Sequence, residues 1–96
     1  MTFEQHCQES LKLFGDRYEY VHQWLDEFMG SQQYGMRHRR IRHHKAGIRQ
    51  AVLLFGPHAE QVARRHIMSD LMEEGWREDE HPFPEDEDHY VRMGLF

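Results

Sequence analysis

The sequence predicts an all-α protein: a compact, four-helix, bundle-like single domain with an acidic loop and a short C-terminal tail. Apolar residues recur every three or four positions, and helix start and stop signals bound each of these runs. No stretch alternates strongly between apolar and polar residues, so a substantial sheet is not expected. Because the connections are short, consecutive helices should lie antiparallel, and 96 residues with 39% hydrophobic content supply one modest core.

The limits of the helices follow from capping residues. Thr2 with Gln5 and Asp16 with Glu19 have the capping-box spacing, which favours a helix start at each place. A glycine follows each of the four apolar runs, where it can end a helix. These signals predict one domain over 1–96, with helices at about 2–14, 16–29, 36–55 and 57–74 and an acidic loop at 77–88.

Composition argues against several classes of protein. The aromatic content of 12% argues against general disorder, and no apolar run approaches the roughly 18–20 residues that cross a membrane. The start of the sequence has an early Glu4 and lacks the long apolar segment of a signal peptide. Cys7 has no second cysteine to pair with, and its place on an apolar helical face indicates a core residue. We therefore expect a reducing, cytoplasmic setting.

Charge is strongly segregated along the chain. The net charge is −5, yet the segment 37–49 carries six of the twelve Lys and Arg residues and no acid. The segment 73–88 carries nine of the seventeen acids and a single Lys or Arg. The net charge argues against bulk binding of nucleic acid, whereas the basic segment permits a contact with phosphate.

Imidazoles and carboxylates on apolar faces are the most informative feature. His66 and Asp70 fall in the middle of a helical face that is otherwise apolar, and His22 and Asp26 repeat their four-residue spacing at the edge of another apolar stripe. Buried polar groups cost on the order of 1–3 kcal/mol each unless they are paired or bind a metal. Because an apolar face also penalises charge, we expect His66 to be neutral.

This spacing suggests a metal site. His and Asp four residues apart project from adjacent turns of one helix face, so a single divalent ion can take both. With an imidazole from the third helix, the candidate metal ligands are His22, Asp26, His43, His66 and Asp70. His44 is a reserve ligand, and His6 could join from the first helix. Imidazole with carboxylate suits Zn, Mn, Fe or Ni, and an open coordination position would activate water for hydrolysis.

Metal-free interpretations stay open beside this one. The same His and Asp pairs could hydrogen-bond within a purely structural network. In the basic segment, Arg39 and Arg42 are candidate anion-binding residues, because guanidinium groups match phosphate oxygens. The alternative for both arginines is a set of internal salt bridges with Asp26, Glu27 or Asp70.

Gly47 lies in the middle of the predicted third helix, where glycine costs about 1 kcal/mol relative to alanine. One interpretation is that it allows close helix packing. The other is that the missing side chain clears space beside His43 for a ligand.

Three functional interpretations follow. The first is a domain that binds a divalent metal and could hydrolyse a phosphate-containing substrate. The second is a non-enzymatic binding module, either an inhibitor or a binder of nucleotide or nucleic-acid phosphate through the basic helix 37–49. The third is a protein-interaction domain whose polar cluster is purely structural. Apolar residues in the tail could also support a homo-oligomer.

Several short blocks, taken together, carry a resemblance. They are His6, Val21-His22-Gln23-Trp24-Leu25-Asp26, Arg37-His38-Arg39, Arg42-His43-His44, Gly47-Ile48, Phe55-Gly56, and His66 with Asp70-Leu71. Their order over residues 6–76 resembles that of a family of small uncharacterised domains encoded in bacterial and phage genomes. The resemblance implies no established activity, but it adds weight to these residues and implies a bacterial or phage setting in the cytoplasm.

Overall fold

A computed structural model describes residues 1–31 and 38–94 of the chain. No strand occurs within those two ranges, so the predicted all-α class is confirmed. The described helices are α1 (Phe3–Phe14), α2 (Glu19–Leu25), α3 (Arg39–Arg42), α4 (Lys45–Phe55), α5 (Ala59–Glu73) and α6 (Glu87–Arg92). The predicted start of the third helix, at 36, lies outside the described residues.

The first predicted helix agrees with the structure and the second differs from it. At α1, Thr2 and Gln5 form the expected reciprocal capping box, and Gly15 ends the helix in the left-handed region. The capping box expected at Asp16 does not form, because its carboxylate accepts instead from the backbone N–H of Tyr18 at 2.9 Å. Tyr18, with φ of 50°, then becomes the residue before α2, which covers Glu19–Leu25 and not 16–29.

The predicted third helix is also different, because its described part is broken into α3 and α4. His44 adopts an extended conformation and caps α4, with its Nδ1 accepting from the N–H of Gly47 and its Nε2 donating to the carbonyl of Arg40, each at 3.0 Å. A Cβ at Gly47 would lie only 1.9 Å from the carbonyl oxygen of Arg42. Gly47 therefore serves close packing at the helix break, and backbone fills the space that a ligand would have needed.

The acidic segment is partly helical. The prediction placed 77–88 in a loop, but α6 begins at Glu87, where the carboxylate of Asp86 accepts from the N–H of His89. Pro84 and Glu85 also accept the N–H groups of Lys45 and Ala46 through their carbonyls, at 2.9 Å each. The acidic segment thus supplies backbone acceptors to the first turn of α4, a distant contact that no local sequence signal encodes.

One long helix, α5, divides the interior into two parts. Near its start it buries Ala59, Val62 and Ala63 in an apolar core that also includes Ile48 and Ala51 of α4. One to two turns later the same face carries the buried side chains of its histidine and aspartate. No helix in the described ranges is long and apolar enough to cross a membrane.

Candidate metal centre

Four segments of the chain bring imidazoles to two carboxylates. His6 comes from α1, Asp26 from the residue that ends α2, His43 from the break between α3 and α4, and His66 with Asp70 from α5. All five side chains are buried, apart from the 15% of the Asp26 side chain that stays exposed. The structure therefore brings four of the five predicted metal ligands together and adds His6.

Asp70 is the centre of this arrangement. Its Oδ2 lies 2.9 Å from Nε2 of His43 and 3.2 Å from Nε2 of His66, while its Oδ1 lies 3.1 Å from Nε2 of His6. The guanidinium of Arg39 is 3.5 Å from the same Oδ1. Three imidazole nitrogens and one cation thus converge on a single buried carboxylate.

Asp26, at the end of α2, faces two of the same imidazoles from the side opposite Asp70 on α5. Its Oδ2 lies 3.4 Å from Nε2 of His66, and its Oδ1 lies 3.3 Å from Nε2 of His38 and 3.6 Å from Nε2 of His43. The two carboxylates therefore share His43 and His66 between them.

The ring nitrogen of His66 that faces the carboxylates has unusual surroundings. Although Nε2 is 3.2 and 3.4 Å from carboxylate oxygens, it forms no hydrogen bond of acceptable geometry with any described residue. Bonds of about 2.1 Å at tetrahedral angles around a metal place its ligand atoms about 3.4 Å apart. The separations of His66 from both carboxylates match that spacing, and ligand atoms from His6, Asp26, His66 and Asp70 all lie within 4.8 Å of one another.

His22, the fifth predicted ligand, lies behind His66. Its Nδ1 is hydrogen-bonded to Nδ1 of His66 at 2.8 Å, and its Nε2 to Oγ of Ser10 at 2.7 Å. The rings of His6 and His66 stack at 3.6 Å between centroids, and His22 stacks on His66 at 5.0 Å. In this position His22 holds the orientation of His66, as the outer partners of metal-bound imidazoles do. Nitrogens of His6, His22 and His66 also form a second close group, within 4.8 Å.

The cluster shifts the pKa values of its members in different directions. Burial lowers the pKa of His22 to about 3 and that of His43 to about 4. Burial raises the pKa of Asp26 and Asp70, but the imidazoles around them outweigh it and hold both pKa values well below the ordinary range. Burial also lowers the pKa of His66, yet the two adjacent carboxylates outweigh that effect and the net shift is upward. This upward shift in the pKa of His66 runs against the expected neutrality of its ring, because two carboxylates make the face polar at this point.

Comparison with models of known protein families shows to which family the chain belongs. A family model described as a domain of unknown function, DUF6915, matches residues 1–95. The chain belongs to the DUF6915 family. This agrees with the resemblance to small uncharacterised domains, and no curated protein or solved structure matched the chain.

Two residues of the cluster escaped the set of ligands proposed from the sequence. His6 lies at the edge of the apolar face of α1, a position that predicts only that it could join the cluster from the first helix. The predicted helix over 36–55 includes His38, but Arg37 and Arg39 flank it in the sequence and indicate a basic surface, whereas the structure places it just before α3. What identifies His6 and His38 as members of the cluster is their proximity to Asp70 and Asp26, and this proximity exists only in the folded chain.

The arginines proposed to bind anions have internal partners in the structure. Arg39 donates to Glu74 at 2.8 Å, in addition to its contact with Asp70. Arg42 donates to the carbonyl of Trp24 at 2.6 Å and to Glu27 at 3.1 Å, and its guanidinium lies 4.1 Å from the centre of the Trp24 ring. These contacts correspond to the salt-bridge alternative for the basic segment.

The remaining histidines form hydrogen bonds outside the cluster. His44 caps α4, and the hydroxyl of Tyr20 is hydrogen-bonded to Nε2 of His58 at 2.7 Å. Nδ1 of His81 accepts from the N–H of Arg77, and Nδ1 of His89 accepts from the N–H of Glu85. His81 and His89 lie away from the cluster and provide matched histidine controls for experiments on it.

Proposed function

We propose that the protein binds a divalent transition-metal ion, Zn, Mn, Fe or Ni, between Asp26 and Asp70, with Nε2 of His6 and His66 completing the ligand set. The observation that carries this proposal is the buried Nε2 of His66, which faces two carboxylates at 3.2 and 3.4 Å without a hydrogen bond. Imidazole and carboxylate together are the ligands that these metals take in proteins.

Charge balance favours a metal over the metal-free alternative. Without an ion, a protonated His66 would balance one of the two buried carboxylates. The second charge would fall to Arg39, which is 3.5 Å from Asp70 and is shared with Glu74, and to the N-terminal ammonium, which is 3.8 Å from Asp70 and is shared with Glu73. One divalent ion balances both carboxylates and gives the Nε2 of His66 a partner. The hydrogen bonds of His22 with His66 and Ser10 would then orient the ligand ring.

Hydrolysis of a phosphate-containing substrate is the activity that we propose for an occupied centre. The supporting observation is Arg39, whose side chain is 18% exposed and is 3.5 Å from Asp70, so that a guanidinium lies at the edge of the site. If a phosphate group replaced Glu74 on this arginine, the guanidinium would orient it. An ion held by His6, Asp26, His66 and Asp70 would supply an activated water at a coordination position beyond these four ligands, and hydrolysis would release the alcohol and the free phosphate. We also propose a reducing, cytoplasmic setting, since Cys7 is buried as a free thiol.

The test is the metal content of protein prepared without a His tag, because a tag would add metal-binding imidazoles to the nine histidines of the chain. After incubation with Zn, Mn, Fe or Ni and removal of free ion, we expect at least one ion per chain by elemental analysis. At an ion concentration of about 100 times the Kd, the midpoint of thermal unfolding should rise by about 10 °C or more.

Variants show whether the ion is at the proposed place. Asp70→Asn and His66→Gln should lose the tightly bound ion and the thermal shift, whereas His81→Gln should keep both. If wild-type protein took up no ion from any of the four metals, the proposal would be wrong. Equal retention by Asp70→Asn and His81→Gln would place the ion elsewhere.

A further inference from the structure

Both carboxylates of the cluster have imidazoles on two sides. Asp26 turns Oδ2 towards His66, at 3.4 Å, and Oδ1 towards His38 and His43, at 3.3 and 3.6 Å. Asp70 turns Oδ1 towards His6, at 3.1 Å, and Oδ2 towards His43, at 2.9 Å, as well as towards His66. A metal held by His6 and His66 leaves the nitrogens of His38 and His43 facing Oδ1 of Asp26. His43 also faces Oδ2 of Asp70, the oxygen that it shares with His66.

We propose that these residues form a second metal site, with His38 and His43 as its imidazole ligands and with Asp26 and Asp70 bridging the two ions. This rests on the proposed function, because the first ion uses the same carboxylates. The protein would then hold a dinuclear centre in which each ion has two histidines of its own.

The separations fit this division of ligands. Nε2 of His38 and of His43 lie 3.3 and 3.6 Å from the shared Oδ1 of Asp26, close to the spacing of about 3.4 Å between ligand atoms on one tetrahedral ion. The ring of His43 is inclined at 71° to that of His66 with centroids 5.1 Å apart, so the two imidazoles approach Asp70 from different directions. Bridged ions in proteins are about 3.5–4 Å apart, a distance that a carboxylate spans with its two oxygens.

The two ions would bind with different affinities. The first balances the charges of Asp26 and Asp70, whereas the second adds two positive charges that the carboxylates no longer offset. The second ion would therefore need an anionic ligand, for which the smallest choice is hydroxide, formed from water with release of the proton to solvent. Glu73 and Glu74, which lie 3.6 and 2.8 Å from Arg39, add negative charge at the edge of the cluster. We expect the second ion to be the weaker by tenfold or more.

A titration of the untagged protein with Mn²⁺, followed by electron paramagnetic resonance, tests the bridge in the wild-type chain. We expect an uncoupled Mn²⁺ signal up to one equivalent. Between one and two equivalents that signal should give way to the spectrum of an exchange-coupled pair, and uptake should end at two ions per chain. Two ions without exchange coupling would contradict the bridge.

Variants assign the second ion to its histidines. His38→Gln and His43→Gln should each take up one uncoupled ion, while His81→Gln should behave as the wild type. If either variant fails to fold by circular dichroism, the stoichiometry and coupling of the wild type decide alone. Wild-type uptake that ends at one ion overturns the second site and leaves the proposed function standing. If the wild-type protein takes up no ion, both the proposed function and the second site are wrong.

Discussion

At the scale of single residues, spacing in the sequence predicted much of the cluster. His66 and Asp70, four apart on α5, do share a buried face and contact each other. Periodicity places a side chain on a face, but it does not decide which ring nitrogen meets which partner. The spacing predicts His22 as a ligand, and the structure adds that its two nitrogens meet Ser10 and His66. The same limit applies to His38, which meets Asp26 only through the tertiary fold.

The buried histidines make the stability of the metal-free protein depend on pH. His22 and His43 have folded pKa values of about 3 and about 4, below the value of about 6.5 in an unfolded chain. Protonation therefore favours the unfolded state, and the free energy of unfolding should fall by on the order of 1 kcal/mol per pH unit for each group as pH drops from 6.5 to 5. The raised pKa of His66 acts at higher pH, where its contribution is lost as pH rises.

Urea unfolding between pH 5 and 7.5, in the presence of a chelator, measures this dependence. The variant His22→Gln should show a shallower loss of stability below pH 6.5 than the wild type, because a neutral amide has no proton to gain. The control His81→Gln should retain the full slope. A wild-type protein that became more stable from pH 6.5 towards pH 5 would contradict the burial of neutral His22 and His43.

At the scale of elements, local signals predicted where helices occur better than where they break. The capping box of α1 requires only neighbouring residues, and it formed as expected. The break before α4 depends on the carbonyls of Pro84 and Glu85, some forty residues away in the chain, and on the ring of His44. Apolar periodicity continues across this break, so the pattern alone indicated one long helix.

The substitution Gly47→Ala tests the break between α3 and α4, because close packing there predicts that the protein loses stability and helix propensity alone predicts that it gains stability. Helix propensity alone predicts that Gly47→Ala stabilises α4 by about 1 kcal/mol. The added Cβ would instead lie 1.9 Å from the carbonyl oxygen of Arg42, so we expect a net loss of about 1–3 kcal/mol in the free energy of unfolding.

The matched control for this substitution is Gln50→Ala, at an exposed position of the same helix, which should leave stability nearly unchanged. Chemical denaturation of the three proteins gives the comparison. A stabilised Gly47→Ala protein would show that α3 and α4 are not packed as described.

At the scale of the whole molecule, the all-α class followed from length, periodicity and caps, whereas the division of the interior did not. The start of α5 supports an apolar core and its end supports a polar cluster, so part of the volume that a small domain would fill with apolar side chains holds imidazoles and carboxylates. A small domain gains little from its apolar core alone. A bound metal would stabilise the polar cluster, because the free energy of metal binding adds to the free energy of folding.

The most direct test of the metal centre is an anomalous difference map from a crystal of the protein loaded with zinc. We expect a peak between Asp26 and Asp70, about 2.0–2.2 Å from a carboxylate oxygen of each and from Nε2 of His66. Peaks confined to surface histidines such as His81 and His89, or an empty cluster in a crystal grown with excess zinc, would contradict it.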